Sequence, residues 1–368
     1  MKVLIANEVT QNESRIAAIP QTVKKMIQMG LDVWIESNAG TGSMLSDRHF
    51  SEAGGVLGER NVFFAQSDII LKVQPLSYAE LELLKENALV VSFLNPSTLD
   101  SHWLKLAQEK KITYFSMNFI PRITRAQKMD ALSSQSNLMG YKAVLLAANL
   151  YPGLFPLMMT AAGTVTPARV FVFGAGVAGL QAIATARRLG AVVEATDVRA
   201  SAKEQVESLG AKFVVSLSQS DMEDNRGYAK EITPELLQEQ RRELEQHVVQ
   251  SNIVICTALV FGRKAPILVT KDLVEKMRPG SVIVDLAVEM GGNCELSQRG
   301  SIVDHHGVKI VGFDNLASQV AIHASELYAR NILEFVTVLM KEVNTETRWK
   351  DEVLVQSLVL DRGQLITR

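Results

Sequence analysis

Apolar positions along this chain fall into short runs that alternate with amphipathic stretches, beginning at the N-terminus. Lys2 to Ala6 is strand-like, and Pro20 opens a helix that runs through Met29 and stops at Gly30. Val33 to Glu36 reads as a strand, followed by a helix around Asp47 to Ala53. Asp68 to Val73 and Leu89 to Leu94 are near-continuous apolar strands, separated by the amphipathic Tyr78 to Glu86. His102 to Lys110 predicts another helix and Ile112 to Ser116 another strand. Strands apolar on both faces that alternate with helices indicate a parallel sheet covered on both sides. Residues 1–120 therefore read as one doubly wound unit.

Ile120 to Asp130 is a polar, Pro-initiated connection, and a helix from about Ala131 to Leu150 leads into a second α/β repeat. Its strands are expected at Val170 to Phe173, Val192 to Thr196, Phe213 onward, Ile253 to Thr257, Val282 to Asp285 and Val308 to Val311. Ala143 to Ala168 carries no charge and is long enough to span a bilayer. Asn149, Pro152, Gly153 and Pro156 interrupt its middle, so it reads instead as a helix end, a loop and a short second helix, all buried in protein. Leu217 to Thr233 is polar, without apolar periodicity, and long for a βα connection. Composition leaves it open between a surface insertion and a functional lid.

A strongly periodic helix from about Ser318 to Lys341 is expected to return to the first domain. The expected organisation is thus a discontinuous flavodoxin/Rossmann-like domain, 1–135 with 325–368, around a Rossmann domain, 136–324. The fold class is α/β, two doubly wound parallel-sheet domains with a cleft between them, joined by long crossing helices. The polar tail from Glu342 to Arg368 holds one apolar run, Val353 to Leu360, which either packs on the first domain or reaches another chain.

Composition narrows the function classes. A length of 368 residues suits two domains, and 47 % apolar with 21 % charged residues suits a soluble globular protein. A net charge of -2 gives no reason to expect nucleic acid or an anionic membrane surface. Cys256 and Cys294 are too few for a metal site or disulfide framework and read as reduced core residues. The N-terminus enters a strand directly, with no signal or transit pattern.

The chemistry concentrates at Val170 to Gly179, a strand followed by Gly174, Gly176 and Gly179 in the GxGxxG spacing and then by a helix to about Leu189. Gly174 permits the tight turn, Gly176 lets backbone approach a pyrophosphate, and Gly179 lets helix and sheet pack closely. The helix start would face that pyrophosphate with unpaired N–H groups. Asp197, at the end of the next strand, is placed to bind an adenosine ribose. The bland alternative is a glycine turn without a ligand. The acid favours NAD over NADP, while the neighbouring Arg199 keeps NADP open. Asn7, Glu8, Glu13 and Arg15 follow the first strand, and Lys72 ends another at the same carboxyl edge, where open α/β sheets bind ligands. Arg15 and Lys72 read equally well as solvated rim charges.

Asn12 to Pro20, Gly174 to Gly179 with Arg188 to Ala191, and Val284 to Gly292 together resemble one family across essentially the whole chain. That family joins the alanine dehydrogenases with the NAD(H)-binding component of proton-translocating nicotinamide nucleotide transhydrogenase. Pro121 to Gln135 is similar to a loop characteristic of the transhydrogenase branch. The resemblance implies that Arg122, Gln127 and Asp130 contact the nicotinamide end of NAD(H), with Ser133 close by. Gly227 and Tyr228 resemble that branch's mobile loop, which favours the lid. The implied nucleotide-binding set is Ser133, Gly174, Ala175, Gly176, Val177, Ala178, Gly179, Asp197, Val198, Arg199, Gly227, Thr257, Ala258 and Leu259, with Tyr228 grouped with Arg122, Gln127 and Asp130 as the implied catalytic residues.

The amino-acid dehydrogenase branch has a catalytic His and an Asp where this chain has Asn95 and Glu289, although Arg15 and Lys72 match its substrate residues. Reductive amination needs a positioned acid or base, and Asn95 cannot titrate. None of the six histidines sits at a matching motif position; His305 and His306 fall in a turn before a strand, and the others lie in helical patterns, expected at the surface. Hydride exchange between two nicotinamides makes no such demand. The implied activity is therefore hydride transfer between NADH on this chain and NADP(H) on a partner component, coupled to proton movement by a membrane-spanning component. The same resemblance implies a homodimer on the cytoplasmic face of the inner membrane, held there by its partners. The alternatives are an alanine-dehydrogenase-like enzyme and a non-catalytic NAD-binding protein.

Overall fold

Short runs rich in Val, Ile and Leu form the strands, because side chains pack against both faces of each sheet. The computed structural model describes residues 1–214, 234–259, 264–343 and 349–366, and of residues 234–241 the backbone alone. The chain divides into two units, Met1–Gln135 with Ala317–Arg368, and Ser136–Leu316. Strands and helices are numbered along the whole chain.

In the first unit, β1 (Lys2–Ile5), β2 (Asp32–Glu36), β3 (Val56–Gly58), β4 (Ile69–Leu71), β5 (Leu89–Ser92) and β6 (Thr113–Ser116) pair in parallel in the order 3-2-1-4-5-6. Alternation along the strands feeds two cores. Val3, Ile5, Val33, Ile35, Ile69 and Leu71 face one, joined by Val23 and Met26 of α1 (Pro20–Gln28), Phe50 of α2 (Asp47–Glu52) and Tyr328, Ile332, Phe335 and Val336 of α11 (Ala321–Glu342). Leu4, Trp34, Ile70, Val90 and Tyr114 face the other, with Phe64 of α3 (Arg60–Gln66), Leu81 of α4 (Tyr78–Leu83) and Trp103 of α5 (Ser101–Glu109).

The second unit begins within α6 (Ala131–Leu150) and adds a hairpin, β7 (Met158–Thr160) with β8 (Gly163–Val165). Its main sheet contains β9 (Arg169–Phe173), β10 (Val192–Thr196), β11 (Lys212–Phe213), β12 (Ile253–Cys256), β13 (Val282–Asp285), β14 (Ile302–His305) and β15 (Val308–Val311) in the order 11-10-9-12-13-15-14. Among the described strands of this sheet, only β14 runs antiparallel. The six parallel strands thus repeat the 3-2-1-4-5-6 arrangement of the Rossmann fold. The helices are α7 (Val177–Arg188), α8 (Ala202–Ser208), α9 (Pro234–Gln250) and α10 (Lys271–Lys276).

Several elements differ from the pattern-based expectation. In place of the short, buried second helix expected within Ala143 to Ala168 stands the β7–β8 hairpin, and it is exposed, with Met159 75 % and Leu157 55 % accessible. Met-Met-Thr and Gly-Thr-Val suit extended backbone, and Gly163 takes φ +134 at the turn. Helix α6 ends at Leu150, and among the described residues no helix is long and apolar enough to cross a membrane. β3 and α3 went unread in the sequence. The C-terminal apolar run packs on the first unit: α12 (Glu352–Ser357) leads into β16 (Leu358–Asp361), which joins β6 antiparallel, followed by β17 (Gln364–Leu365). Cys256 and Cys294 are free and buried, as read from their isolation; burial pushes the Cys256 thiol well up and the Cys294 thiol to about 11. His247 is the exception among the helical histidines, half-buried with Nδ1 2.8 Å from Glu194.

Candidate functional site

Strands β9 and β12 are neighbours from which the chain winds in opposite directions, so a crevice opens at their carboxyl ends. β9 stops at Phe173, and Gly174 turns the chain with φ +89 while its N–H donates to the Thr196 carbonyl at 2.9 Å. Thr257, just past β12, donates its N–H to the Phe173 carbonyl at 2.8 Å and its hydroxyl to the Gly174 carbonyl at 2.9 Å. A Cβ on Gly179 would stand 1.8 Å from the Gly174 oxygen, so α7 reaches the turn only with glycine there. Gly176 caps α7 without a side-chain hydrogen bond, and a Cβ on it would meet nothing within 4 Å. Gly176 thus leaves open space where a side chain would stand, beside the positive end of a 12-residue helix, which suits an anion.

Asp197 follows β10 and is 8 % exposed. Its carboxylate accepts from Ala175 N at 2.7 Å and from Arg199 N, Nε and Nη2 at 2.8, 2.9 and 3.0 Å. Burial works against ionisation here, but the Arg199 and Ala175 hydrogen bonds outweigh it and hold the carboxyl below its usual range. A ribose hydroxyl at Asp197 has to share the carboxylate with Arg199, whose side chain is more than half exposed. Val177, Val198 and Leu259 are all exposed apolar residues beside this turn, a surface that a flat aromatic base could cover.

Two buried polar residues that the sequence motifs did not single out hold the β12 side of the crevice. Asn293 donates from Nδ2 to the Ala258 and Pro266 carbonyls at 2.9 and 2.8 Å, and its Oδ1 accepts from Ala258 N at 3.0 Å. Asp285, fully buried at the end of β13, accepts from Asn293 N, Cys294 N and Ser297 Oγ at 2.7–2.9 Å. The signal was an acid at a strand end followed by Gly291-Gly292-Asn293, a spacing that reads as ordinary turn chemistry.

In the first unit, Arg122 and Gln127 are exposed, Gln127 on a short 3₁₀ segment, Thr124–Met129. Ala126 and Met129 anchor that segment in the core, and Asn331 of α11 donates to the Lys128 carbonyl at 2.7 Å. Asp130 is half-buried and accepts from Ser133 N and Oγ at 2.9 and 2.6 Å, which makes it the cap of α6. Arg122, Gln127, Asp130 and Ser133 therefore lie together on one stretch. Asn95 forms a local turn, its Oδ1 accepting from Ser97 N and Oγ at 3.1 and 2.9 Å. Glu289 lies in the second unit, more than half exposed and 3.9 Å from Arg299. Gly227, Tyr228 and the 217–233 stretch lie outside the described residues.

Arg15 and Lys72 are not solvated rim charges: they are 5 % and 0 % exposed. Lys72 Nζ pairs with Glu80 at 2.6 Å and Glu8 at 3.2 Å, and Arg15 pairs with Glu13 at 2.7 Å and donates to Gln135 at 2.8 Å. Arg60 ties Glu80 to Glu36, at 3.0 and 2.8 Å. Glu80 is reached through the capping box Ser77-x-x-Glu80 at the start of α4, a readable signal for its position though not for its burial.

Residues 4–139 match the family description "Alanine dehydrogenase/PNT, N-terminal domain" and residues 143–368 match "Alanine dehydrogenase/PNT, C-terminal domain". The chain is 48 % identical to the first part of the NAD(P) transhydrogenase alpha subunit of Rhodospirillum rubrum, across 100 % of this chain and 98 % of that one. It is 43 % identical to a protein of the same description from Rickettsia prowazekii, across 100 % and 96 %. An "Alanine dehydrogenase" of Staphylococcus saprophyticus is 28 % identical over 86 % of this chain and 81 % of its own. Among solved structures, transhydrogenase from Sinorhizobium meliloti superposes with a TM-score of 0.87 at 42 % identity, covering 100 % of this chain and 99 % of that one.

Proposed function

Because this chain belongs to the alanine dehydrogenase/PNT family, we propose that it is the NAD(H)-binding component of a proton-translocating transhydrogenase. In this reading NADH passes hydride directly to NADP+ held on a partner component, and a membrane-spanning component couples the exchange to proton movement. The observation that carries the reading is the open space over Gly176, bordered by the exposed Val177, Val198 and Leu259 and by the buried Asp197. That set fits a dinucleotide: amides for the pyrophosphate, an acid for the ribose, apolar side chains for the adenine.

The cofactor supplies the hydride chemistry, and the chain supplies binding and orientation. Gly174 to Gly179 and Asp197 anchor the nucleotide, while Arg122, Gln127 and Asp130 hydrogen-bond its nicotinamide end and fix the presented face. Asp130, held by Ser133, has its orientation set before any ligand arrives. No side chain needs to titrate in the step, and Asn95, engaged with Ser97, offers none where the amino-acid dehydrogenases have their catalytic His. The chain acts as a homodimer on the cytoplasmic face of the inner membrane; the exposed Leu157, Met158, Met159 and Val165 around the β7–β8 hairpin give self-association an apolar surface to cover.

The test is a direct assay. Mixed with the NADP(H)-binding component, the chain should support NADH-dependent reduction of an NADP+ analogue, and it should show no NADH oxidation dependent on pyruvate and ammonia. Gln127→Ala should lower the hydride-transfer rate by about tenfold or more while changing NADH affinity much less. Pyruvate- and ammonia-dependent turnover above background would sink the proposal, and equal losses of rate and affinity would reduce Gln127 to a binding contact.

A further inference from the structure

We propose that His305, His306 and Glu275 form a binding site for one divalent transition-metal ion of the zinc class. The three side chains come from two elements: β14 ends at His305, His306 begins the turn into β15, and Glu275 projects from α10. Glu275 Oε1 lies 3.1 Å from His305 Nε2 and 4.0 Å from His306 Nε2, and one ligand atom from each residue falls within 4.8 Å of the other two. An ion equidistant from the three atoms would lie roughly 2.0–2.4 Å from each, so small side-chain adjustments bring all three to ordinary coordination lengths of about 2.0–2.2 Å.

The turn explains why two consecutive histidines converge. Side chains one residue apart on a strand point to opposite faces. Here His306 and Gly307 both take positive φ, +52 and +79, the pattern of a two-residue hairpin turn closed by the His305–Val308 pair. That conformation brings the second ring beside the first, with centroids 4.6 Å apart and planes nearly perpendicular. The turn is also fixed from below, since Gly280 N donates to the Gly307 carbonyl at 2.7 Å.

Donor chemistry sets the class of ion. Two imidazoles and one carboxylate suit zinc, nickel or copper, whereas magnesium and calcium take oxygen sets. Three protein ligands leave a position for water, and the site is accessible, with His306 69 %, Glu275 39 % and His305 23 % exposed. Lys271, 3.8 Å from Glu275 and one helical turn away, is the competing cation an ion would displace.

The site lies at the edge where β13 and β15 begin, opposite the edge carrying Gly174, on the order of 15 Å away along the strands. Its ion would therefore clamp the β14–β15 hairpin to α10 rather than touch the nucleotide. This inference is independent of the proposed function.

Zinc titrated calorimetrically into the full chain should bind with a stoichiometry of one, and zinc should raise the thermal midpoint. His306→Ala and Glu275→Gln, both at exposed positions, should keep the far-ultraviolet circular dichroism and weaken zinc by at least about tenfold, a loss seen even when a hydrogen-bond partner behind a ligand is removed. Lys271→Ala should tighten binding severalfold, and His102→Ala, in the other unit, should leave it unchanged. Copper(II) bound to the wild type should show nitrogen hyperfine splitting. Absence of saturable zinc binding, or full binding by the His305→Ala/His306→Ala double variant, would overturn the proposal; unchanged or weaker binding by Lys271→Ala would remove Glu275 from the ligand set and overturn the triad.

Discussion

At the switch point of the first sheet, between β1 and β4, Glu8 and Lys72 lie 3.2 Å apart with side chains 2 % and 0 % exposed. At the corresponding point of the second sheet, between β9 and β12, stand Gly174 and Thr257, and the space over Gly176 is open. Both sheets have the same 3-2-1-4-5-6 order, so both create a crevice at the carboxyl ends of their central strands. Topology supplies the crevice, and a handful of residues decides what occupies it. The first unit fills it with side-chain charges of its own: Glu8, Glu13 and Glu80 against Arg15 and Lys72, cross-tied by Arg60 and Gln74. The second removes the side chain at Gly176 and leaves space beside the start of α7. One arrangement depends on charge balance in a buried place, the other on space.

The largest expected effect probes the filled crevice. Lys72→Ala should destabilise the protein by about 3–5 kcal/mol, because it strands Glu8 as a buried carboxylate with, among the described residues, only the Val73 and Gln74 amides for partners and weakens the hold on Glu80. Adding Glu8→Gln should recover much of the loss, since the buried negative charge goes with it. Urea unfolding midpoints measure both. A loss under about 1 kcal/mol would mean that the pair behaves like a surface ion pair and that the crevice is wet.

Much of this contrast was legible from sequence, and the illegible part has a common cause. The strands were readable because runs such as Asp68 to Val73 are apolar on both faces, and the glycine turn because its residues are required locally. The β7–β8 hairpin, β3 and the antiparallel β16 were not, since short or edge strands are selected by what they pair with rather than by periodicity. Burial of Glu8, Glu80, Asp285 and Asn293 was invisible for a related reason. A polar residue buried with its partners carries the same letters as one in solvent, and the partners here come from positions 8, 72 and 80, or 258 and 293, far apart in the chain. The family resemblance groups Arg122, Gln127 and Asp130 on one loop, and the structure adds that Asp130 caps α6.

A smaller effect tests the charge balance by pH. Burial pushes Glu13 towards the neutral form, but hydrogen bonds from Arg15 and Gln74 override it and hold the carboxyl at about 2, against an ordinary 4.5. A group with a depressed folded value contributes stability that is complete above its ordinary pKa and lost as pH falls towards the folded one. Stability should therefore fall between about pH 5 and 2 by on the order of 3 kcal/mol more in the wild type than in Glu13→Gln. Parallel acid limbs for the two proteins would show that Glu13 titrates normally and that this side of the crevice is open to water.

The smallest effect is the most diagnostic for the open crevice, because it separates space for the fold from space for a ligand. Gly174 and Gly179 are both needed by the protein itself: Gly174 takes φ +89, and a Cβ on Gly179 would collide with the Gly174 carbonyl. Their replacement disturbs the turn and says nothing about a nucleotide. Gly176 takes φ −76, which any residue accepts, and a Cβ there touches no protein atom within 4 Å. No folding reason requires glycine at this position, so the remaining reason is whatever approaches the α7 amides from outside. Gly176→Ala should leave the thermal midpoint essentially unchanged and weaken NADH by about tenfold, ~1.4 kcal/mol, as measured by the fluorescence of the bound dinucleotide. If affinity holds, the glycines serve only the turn, and the second crevice, like the first, is built for the protein's own packing.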